Sequence, residues 1–362
     1  MMKLPISVCI LALNEESLIE DAVLSVVNIV NEVLVLDTGS TDQTVKRAKE
    51  AGAEVYSFTW LNNFAMARNQ MIKLAKNLTI FMMDADERYI GDGSDLKEYT
   101  DSNISLAASI RIINKLDQHE FTETNITRIF PKQPQYQYEG IIHEQLKKGG
   151  ESVSGIRTDI TLLHYGYHKE EIDKKDKINR NLNLLKDQLN DSPEDPYTLY
   201  QIGKTYYVNK SYPEAIINFQ YALKIIESAE YNFKPNLYLY YAYSLMYQKM
   251  WDEAKIILIT SIDKYPDFTD LYFMHASLII ESRNINDFHL VPVLYEKCLT
   301  IGEANPTKYE TAKGIGSYKA LYNLGIYHEL MGHIHEAMKF YRESSEYNYT
   351  PAQERLHLLI KS

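Results

Sequence analysis

The stretch Leu78-Thr79-Ile80-Phe81-Met82-Met83-Asp84-Ala85-Asp86 decides the fold of this 362-residue chain. An uncharged, mostly apolar run reads as a strand covered on both faces, and it stops on an acidic triplet. Three similar runs precede it. Ile6 to Leu13 reads as a first strand, Glu32 to Leu36 as a second ending at Asp37, and Val55 to Phe58 as a third. Helical spacing fills the gaps. Ile19, Ala22, Val23, Val26, Val27 and Val30 recur on one face behind Asn14-Glu15-Glu16, which reads as a helix cap with acidic first-turn residues. Ser40-Thr41-Asp42-Gln43 reads as a capping box opening a helix through Lys49, with Gly52 suited to its end, and Phe64 to Ala75 is a third helix. Such alternation predicts an α/β domain with a mostly parallel sheet. Ligands of such sheets bind at the carboxyl ends of strands, where Asn14, Asp37, Asp84 and Asp86 fall.

Residues 90 to 165 are less regular: Gly91-Asp92-Gly93-Ser94 reads as a loop, Ala107 to Ile113 as a strand, and 133–138 as a Pro/Gln/Tyr-rich stretch. A charged helix follows from Glu170 to Asn190, with Ile178, Leu182, Leu185 and Leu189 on one face, and Ser192-Pro193-Glu194-Asp195-Pro196 breaks the chain. The expected division is a catalytic domain over 1–170, a helical connector over 171–195 and helical repeats over 196–362. Leu199, Ile202-Gly203, Tyr206, Ala215, Phe219 and Ala222 carry tetratricopeptide spacing. Tyr238, Tyr241-Ala242, Leu245, Ala254, Leu258 and Pro266 repeat it, and so do Leu321, Leu324-Gly325, Ala337 and Tyr341. Tyr272 to Ile280 with Val293 to Leu299 reads as a degenerate pair with an insertion around 284–292. Much of the total of 29 tyrosines lies in this half. They read first as solenoid packing, and alternatively as the lining of a concave peptide-binding surface.

A net charge of -11 excludes a binder of nucleic-acid backbone, which needs a basic face. Cys9 and Cys298, the two cysteines, are too few for a disulfide framework and fit a reducing cytoplasm. The start Met1-Met2-Lys3-Leu4-Pro5 shows no signal-peptide pattern, and the apolar run from Ala22 to Leu36 is broken by Asn28, Asn31 and Glu32. A soluble, cytoplasmic protein without a membrane span is the expectation.

Asp84 and Asp86, two residues apart at a strand end, would share one face, where a hard cation and phosphate oxygens can meet. Asp37 could accept the N3–H of a uracil ring, or serve only to form its turn. Leu13-Asn14-Glu15 after the first strand would line the same pocket, and Asn14 could instead be a simple N-cap. Arg68 reads as a phosphate contact or as an exposed helix charge. Glu144, beside His143, could take a proton from an acceptor, and His164 could bring a neutral imidazole to a metal. A G-x-G-x-x-G dinucleotide loop, an EF-hand glycine (Tyr89 stands there) and a zinc pattern around His164 and His168 are all missing.

The ordered series Ile6 to Glu15, Val35-Leu36-Asp37-Thr38-Gly39-Ser40-Thr41-Asp42, Ala67-Arg68-Asn69 and Asp84-Ala85-Asp86-Glu87 resembles family 2 glycosyltransferases of the GT-A fold. Thr127-Arg128-Ile129-Phe130, Ile142-His143-Glu144 and His164-Tyr165-Gly166-Tyr167, followed by the repeats, resemble the subgroup of sublancin-type glycocin peptide S-glycosyltransferases. The resemblance implies an α/β GT-A domain followed by an all-α tetratricopeptide-like solenoid. It implies that Asp37 contacts uracil, that Asp84, Ala85 and Asp86 address the ribose-diphosphate, and that Asp84, Asp86 and His164 bind Mg2+ or Mn2+. Glu144 becomes the leading base. The implied reaction is inverting transfer of a hexose, glucose by preference, from a UDP-sugar to Cys or Ser of a bacteriocin precursor peptide held between the two domains. A homodimer is a further option. The competing readings are a saccharide-extending transferase of the cell envelope and a non-catalytic repeat scaffold.

Overall fold

A computed structural model describes residues 3–102, 105–115, 121–165, 171–226 and 229–361. The chain divides into two compact units, Met1–Leu116 with Glu123–Asp191, and Asp117–Thr122 with Ser192–Ser362. In the first, β1 (Leu4–Ala12), α1 (Ile19–Leu24), β2 (Val30–Asp37), α2 (Thr44–Glu50), β3 (Glu54–Ser57), α3 (Phe64–Leu74) and β4 (Thr79–Asp84) alternate. Next come β5 (Glu87–Ile90), α4 (Ser94–Ser102), β6 (Ala108–Lys115), β7 (Phe121–Pro131), β8 (Tyr136–Glu139), β9 (Gln145–Lys148), β10 (Glu151–Ser152), β11 (Ile156–His164) and α5 (Glu171–Asp191).

The strands run β3-β2-β1-β4-β7-β6-β11-β5 across one sheet. β3, β2, β1 and β4 are mutually parallel, and β7 joins β4 antiparallel with Phe81 opposite Ile129. The run of apolar residues follows from burial on both faces. Ile6, Val8, Ile10, Val35, Phe81 and Met83 pack with α1, α2 and α4, whereas Cys9, Leu34, Leu36, Ile80 and Met82 pack with Ala67 and Met71 of α3. Strand alternation sends neighbouring residues to opposite layers. Among the described side chains of α5, Leu182, Leu184 and Leu185 are buried, and α5 groups with the first unit.

Two helix starts differ from the sequence expectation. Asn14 does not cap α1, which begins five residues later at Ile19. Its side chain instead accepts from Thr41 N at 2.9 Å, and its own backbone sits at φ +53°. Ser40 and Gln43 form no capping box, because Ser40 Oγ accepts from Asn14 N at 2.9 Å and Gln43 N donates to Glu16 at 2.9 Å. Asp42, one residue before the N-cap Gln43, accepts from Thr44 N at 2.9 Å at the start of α2. In both cases the cap residues tie the first two strand-end loops together. Gly52, at φ +102°, ends α2 as expected.

The second unit pairs α6 (Pro196–Val208) with α7 (Tyr212–Ile226), and α8 (Lys234–Tyr247) with α9 (Trp251–Lys264). α10 (Thr269–Glu281) pairs with α11 (Leu290–Ile301), α12 (Tyr318–Leu330) with α13 (Ile334–Ser345), and α14 (Thr350–Lys361) closes the series. The small residues of the repeat accept a ring. A methyl group on Gly203 would lie 2.6 Å from Phe219, and one on Gly325 would lie 2.5 Å from Tyr341. The degenerate pair is α10 and α11, where Ala276, Val291, Tyr295 and Cys298 share one core. Among the described residues no helix is long and apolar enough to cross a membrane.

Candidate active site

The parallel register brings the expected residues to one edge. Ala12 stands opposite Asp37, and Leu11 opposite Asp84, so the ends of β1, β2 and β4 are level. Asp37 is buried, and its carboxylate accepts from Gly39 N at 3.2 Å and Ser40 N at 3.2 Å. That is the turn-forming geometry of an aspartate at a loop start. Leu13 is exposed at the end of β1, and Glu15 N donates to Thr44 Oγ1 at 2.8 Å.

β4 stops at Asp84, and Ala85-Asp86 form the turn into β5. Strand alternation therefore ends before Asp86, and the two carboxylates take different partners instead of one shared face. Arg68 from α3 donates to Asp84 Oδ1 at 2.8 Å, and Arg128 from β7 donates to Asp84 Oδ2 at 3.0 Å. Burial opposes the charge on Asp84, but the two guanidinium groups outweigh it and hold its carboxyl well below the usual range. Arg68 also donates its Nε to Glu144, so one buried guanidinium joins the acidic triplet to the base candidate. Burial opposes the charge of Arg68 too, and Asp84 and Glu144 overcome it, keeping Arg68 protonated. Arg68 is thus not an exposed helix charge: its side chain is 7% exposed. Its Nη1 is buried and has no hydrogen-bond partner among the described residues. Ala85 packs into the sheet core.

Asp86 Oδ2 lies 3.1 Å from His164 Nε2 at the end of β11, and His164 Nδ1 lies 2.9 Å from Asn114 Oδ1 of β6. The pairing of β6 with β11 places Asn114 directly opposite His164. Burial works to lower the His164 pKa, and the hydrogen bond and charge of Asp86 raise it on balance. Both neighbouring oxygens accept, so both ring nitrogens donate in the protonated imidazole that Asp86 favours. Among the described residues no group of three or more His, Cys, Asp or Glu side chains is gathered as a metal cage. His143 is exposed in a left-handed backbone conformation, φ +52°, beside Glu144. Gly166, Tyr167 and His168 lie outside the described residues.

Three residues that the sequence reading gave no role complete the cluster. Arg128 neutralises Asp84, Asn114 orients His164, and Glu87 accepts from Asp84 N at 2.7 Å. Burial, reinforced by Asp84 and opposed by Arg128, pushes the Glu87 carboxyl up to about 7. Arg128 and Glu87 fall within motifs quoted above, but only the adjacency of β7 to β4 shows what Arg128 touches. Cys9 is buried and its thiol is pushed far up by burial, so it is no nucleophile at neutral pH.

The description Glycosyl transferase family 2 matches residues 7–99, and Tetratricopeptide repeat matches residues 237–267. The glycosyltransferase match thus falls on the parallel strands and their acidic ends, and the repeat match falls on the helix pair α8 and α9. Among individual relatives, the SPbeta prophage-derived glycosyltransferase SunS of Bacillus subtilis (strain 168) is 26% identical over 291 residues, covering 76% of this chain and 67% of SunS. A TPR repeat-containing protein of Synechococcus elongatus is 28% identical over 208 residues, covering 55% of this chain and 51% of that protein. The chain thus matches about half the length of that cyanobacterial relative. An uncharacterized glycosyltransferase of Rickettsia bellii is 39% identical over 94 residues, 26% of this chain and 32% of its own.

Proposed function

We propose that the chain is an inverting, metal-dependent glycosyltransferase that moves a hexose from a UDP-sugar to a Cys or Ser side chain of a peptide. The observation that carries this reading is the pairing of Asp86 with His164, 3.1 Å apart and beside the arginine-clamped Asp84, at the carboxyl edge of a parallel sheet. The similarity to SunS supports a peptide-type transferase.

Asp86 and His164 are the residues that would hold a divalent cation. One carboxylate oxygen and one imidazole nitrogen suit Mg2+ or Mn2+, with diphosphate oxygens and water supplying the remaining ligands. A cation there supplies positive charge to the departing diphosphate. Asp37 and the loops after β1 and β2 shape the nucleotide end of the site, with Asp37 facing the uracil N3–H. Asp84 holds Arg68 and Arg128 in place, and Arg68 in turn orients Glu144. Glu144 receives the proton of the acceptor thiol or hydroxyl as the nucleophile attacks C1 and the bond from C1 to the diphosphate oxygen breaks. A thiol acceptor, with an ordinary pKa near ~8.5, asks less of that base than a hydroxyl.

Mass spectrometry of a precursor peptide incubated with a panel of UDP-sugars and Mn2+ tests the reading. Transfer to Cys or Ser, abolished in Asp86→Ala and in EDTA while UDP consumption also stops, is the expected result. Full transfer in Asp86→Ala or in EDTA would remove the metal from the mechanism. Transfer to saccharide acceptors alone would replace the peptide.

A further inference from the structure

The third helix pair is the one with an inserted turn. Residues 282–289 join α10 to α11, whereas 209–211, 248–250 and 331–333 suffice in the other three pairs. The added turn is fixed by its own polar groups. Asn284 Oδ1 accepts from Asn286 N at 3.1 Å and from Asp287 N at 3.3 Å, and Asn284 Nδ2 donates to Asp287 Oδ2 at 2.8 Å. Lys255 of α9 donates to the same oxygen at 2.5 Å, which ties the turn to the preceding pair. Between the turn, α9 and α10 lies a cavity of about 260 Å³. Buried Leu278 and Ile279 and half-buried Trp251 give it apolar surface. His275, Asn284 and Asp287 bring polar groups to it.

His275 is 7% exposed, and its Nε2 is buried with no hydrogen-bond partner among the described residues. Buried polar atoms are nearly always partnered, so an orphan on a side chain that lines a cavity calls for a partner from that cavity. Burial, with Lys255 beside it, lowers the His275 pKa against the opposing charge of Asp287, and the ring is neutral at pH 7. A hydroxyl, which both donates and accepts, suits either tautomer of a neutral imidazole. The charges nearby select against an ionic ligand, because Lys255 and Asp287 neutralise each other. Lys255 and Asn284 both address Asp287 Oδ2, which leaves Oδ1 to accept from a ligand. The volume falls just below the ~300–1,000 Å³ of pockets for drug-sized molecules, so it suits one of monosaccharide size. Stacking of helix pairs does not require the inserted turn, since the other three pairs stack without one.

We infer that this cavity is a binding site for a single neutral pyranose, with a C–H face of the sugar against Trp251 and its hydroxyls on His275, Asn284 and Asp287. A sugar ring carries both surfaces that the cavity offers partners for: an apolar face for an aromatic ring, and a rim of groups that donate and accept. The site lies wholly within the second unit. It is independent of the transfer reaction proposed above, and its test contains no UDP-sugar and no metal.

The probes are methyl β-glucopyranoside, methyl β-galactopyranoside and the methyl β-glycoside of N-acetylglucosamine. Each is titrated into the full chain carrying Trp60→Phe, in which Trp251 is the sole tryptophan. A saturable change in Trp251 fluorescence is expected for at least one of them, with a Kd on the order of 1 mM, the strength that so few atoms allow. Inorganic phosphate and phenylalanine amide, as charged and peptide-like probes, give no saturable change. Adding His275→Leu removes an orphaned polar group from the interior and so keeps the fold. It weakens glycoside binding by about fivefold, the loss of one hydrogen bond. No saturable change with any glycoside, undiminished binding in His275→Leu, or tighter binding of phosphate or phenylalanine amide overturns the inference and leaves the cavity to water or another ligand. A second measurement does not depend on any variant folding. On the unaltered chain, saturating glycoside slows hydrogen exchange at the Asn286 and Asp287 amides, and unchanged exchange there equally overturns the inference.

Discussion

At the scale of single residues, the two aspartates of the triplet have separate duties. Asp84 answers two buried guanidinium groups, while Asp86 meets an imidazole that keeps its own second partner, Asn114. Removing a partner from a buried ion cluster strands charge and costs about 3–5 kcal/mol. Asp84→Ala is therefore expected to lower stability by about that amount, whereas Asp86→Ala stays within about 1 kcal/mol of the parent. Urea denaturation of both variants checks this, and equal losses would mean that the two carboxylates share one structural role. A second prediction follows from the Asn114 hydrogen bond. If His164 holds a cation, Asn114→Ala weakens Mn2+ affinity about 10–100-fold, as expected for loss of an outer partner of a metal-bound histidine. Electron paramagnetic resonance of Mn2+ titrated in the presence of UDP reads this without turnover, and an unchanged affinity would detach Asn114 from metal binding. Asp37, Asp84, Asp86, His164 and Glu144 were legible as candidates because strand ends and short motifs are local features of sequence. Asn114 and the partnership of Arg128 with Asp84 were not, because they depend on which strands lie side by side, and β7 reaches β4 across 44 residues of chain.

At the scale of elements, what the sequence disclosed was periodicity. Alternating layers of apolar residues predicted β1 to β4, and small and large residues at tetratricopeptide spacing predicted the helix pairs. Capping was misread for a physical reason. Asn14 and Ser40 have the side chains of N-caps, but long-range partners claim them and Glu16 claims the Gln43 amide that a capping box needs, and local spacing does not register that competition. The segment at 302–317, between α11 and α12, was missed because it breaks the repeat without periodicity of its own. Its close backbone approach is visible only in three dimensions, where a methyl group on Gly316 would fall 2.0 Å from the Gly302 carbonyl. The hairpin packing yields its own prediction. Gly203→Ala forces the Phe219 ring to move, at a cost of about 1–3 kcal/mol. In a double-mutant cycle with Phe219→Leu, most of that cost disappears, since the smaller side chain leaves room for the methyl. Thermal unfolding of the four chains measures the coupling, and additive losses would place the strain elsewhere.

At the scale of the whole molecule, each unit holds one of the two tryptophans, Trp60 in the first and Trp251 in the second, so their fluorescence reports the units separately. That separation gives access to the titration of Asp270. Burial, aided by the charge of Glu303 and opposed by hydrogen bonds from Thr311 and Ala312, pushes the Asp270 carboxyl from 3.8 up to about 6. The folded unit thus holds this proton more tightly than the unfolded chain does. Its contribution is complete below about pH 4 and is lost as the pH rises through about 6. At ~1.4 kcal/mol per tenfold change in proton affinity, the loss is about 3 kcal/mol. Asp270→Asn keeps an acceptor for Ala312 N and a donor for Thr311 Oγ1 but does not titrate. Relative to the unaltered residue, the Asn variant is expected to gain stability as pH rises from 4 to 7. In a Trp60→Phe background, denaturant midpoints followed by Trp251 fluorescence at each pH measure that difference. A stability difference that stays constant across the range would show that Asp270 is ionised throughout, with its two hydrogen bonds outweighing its burial.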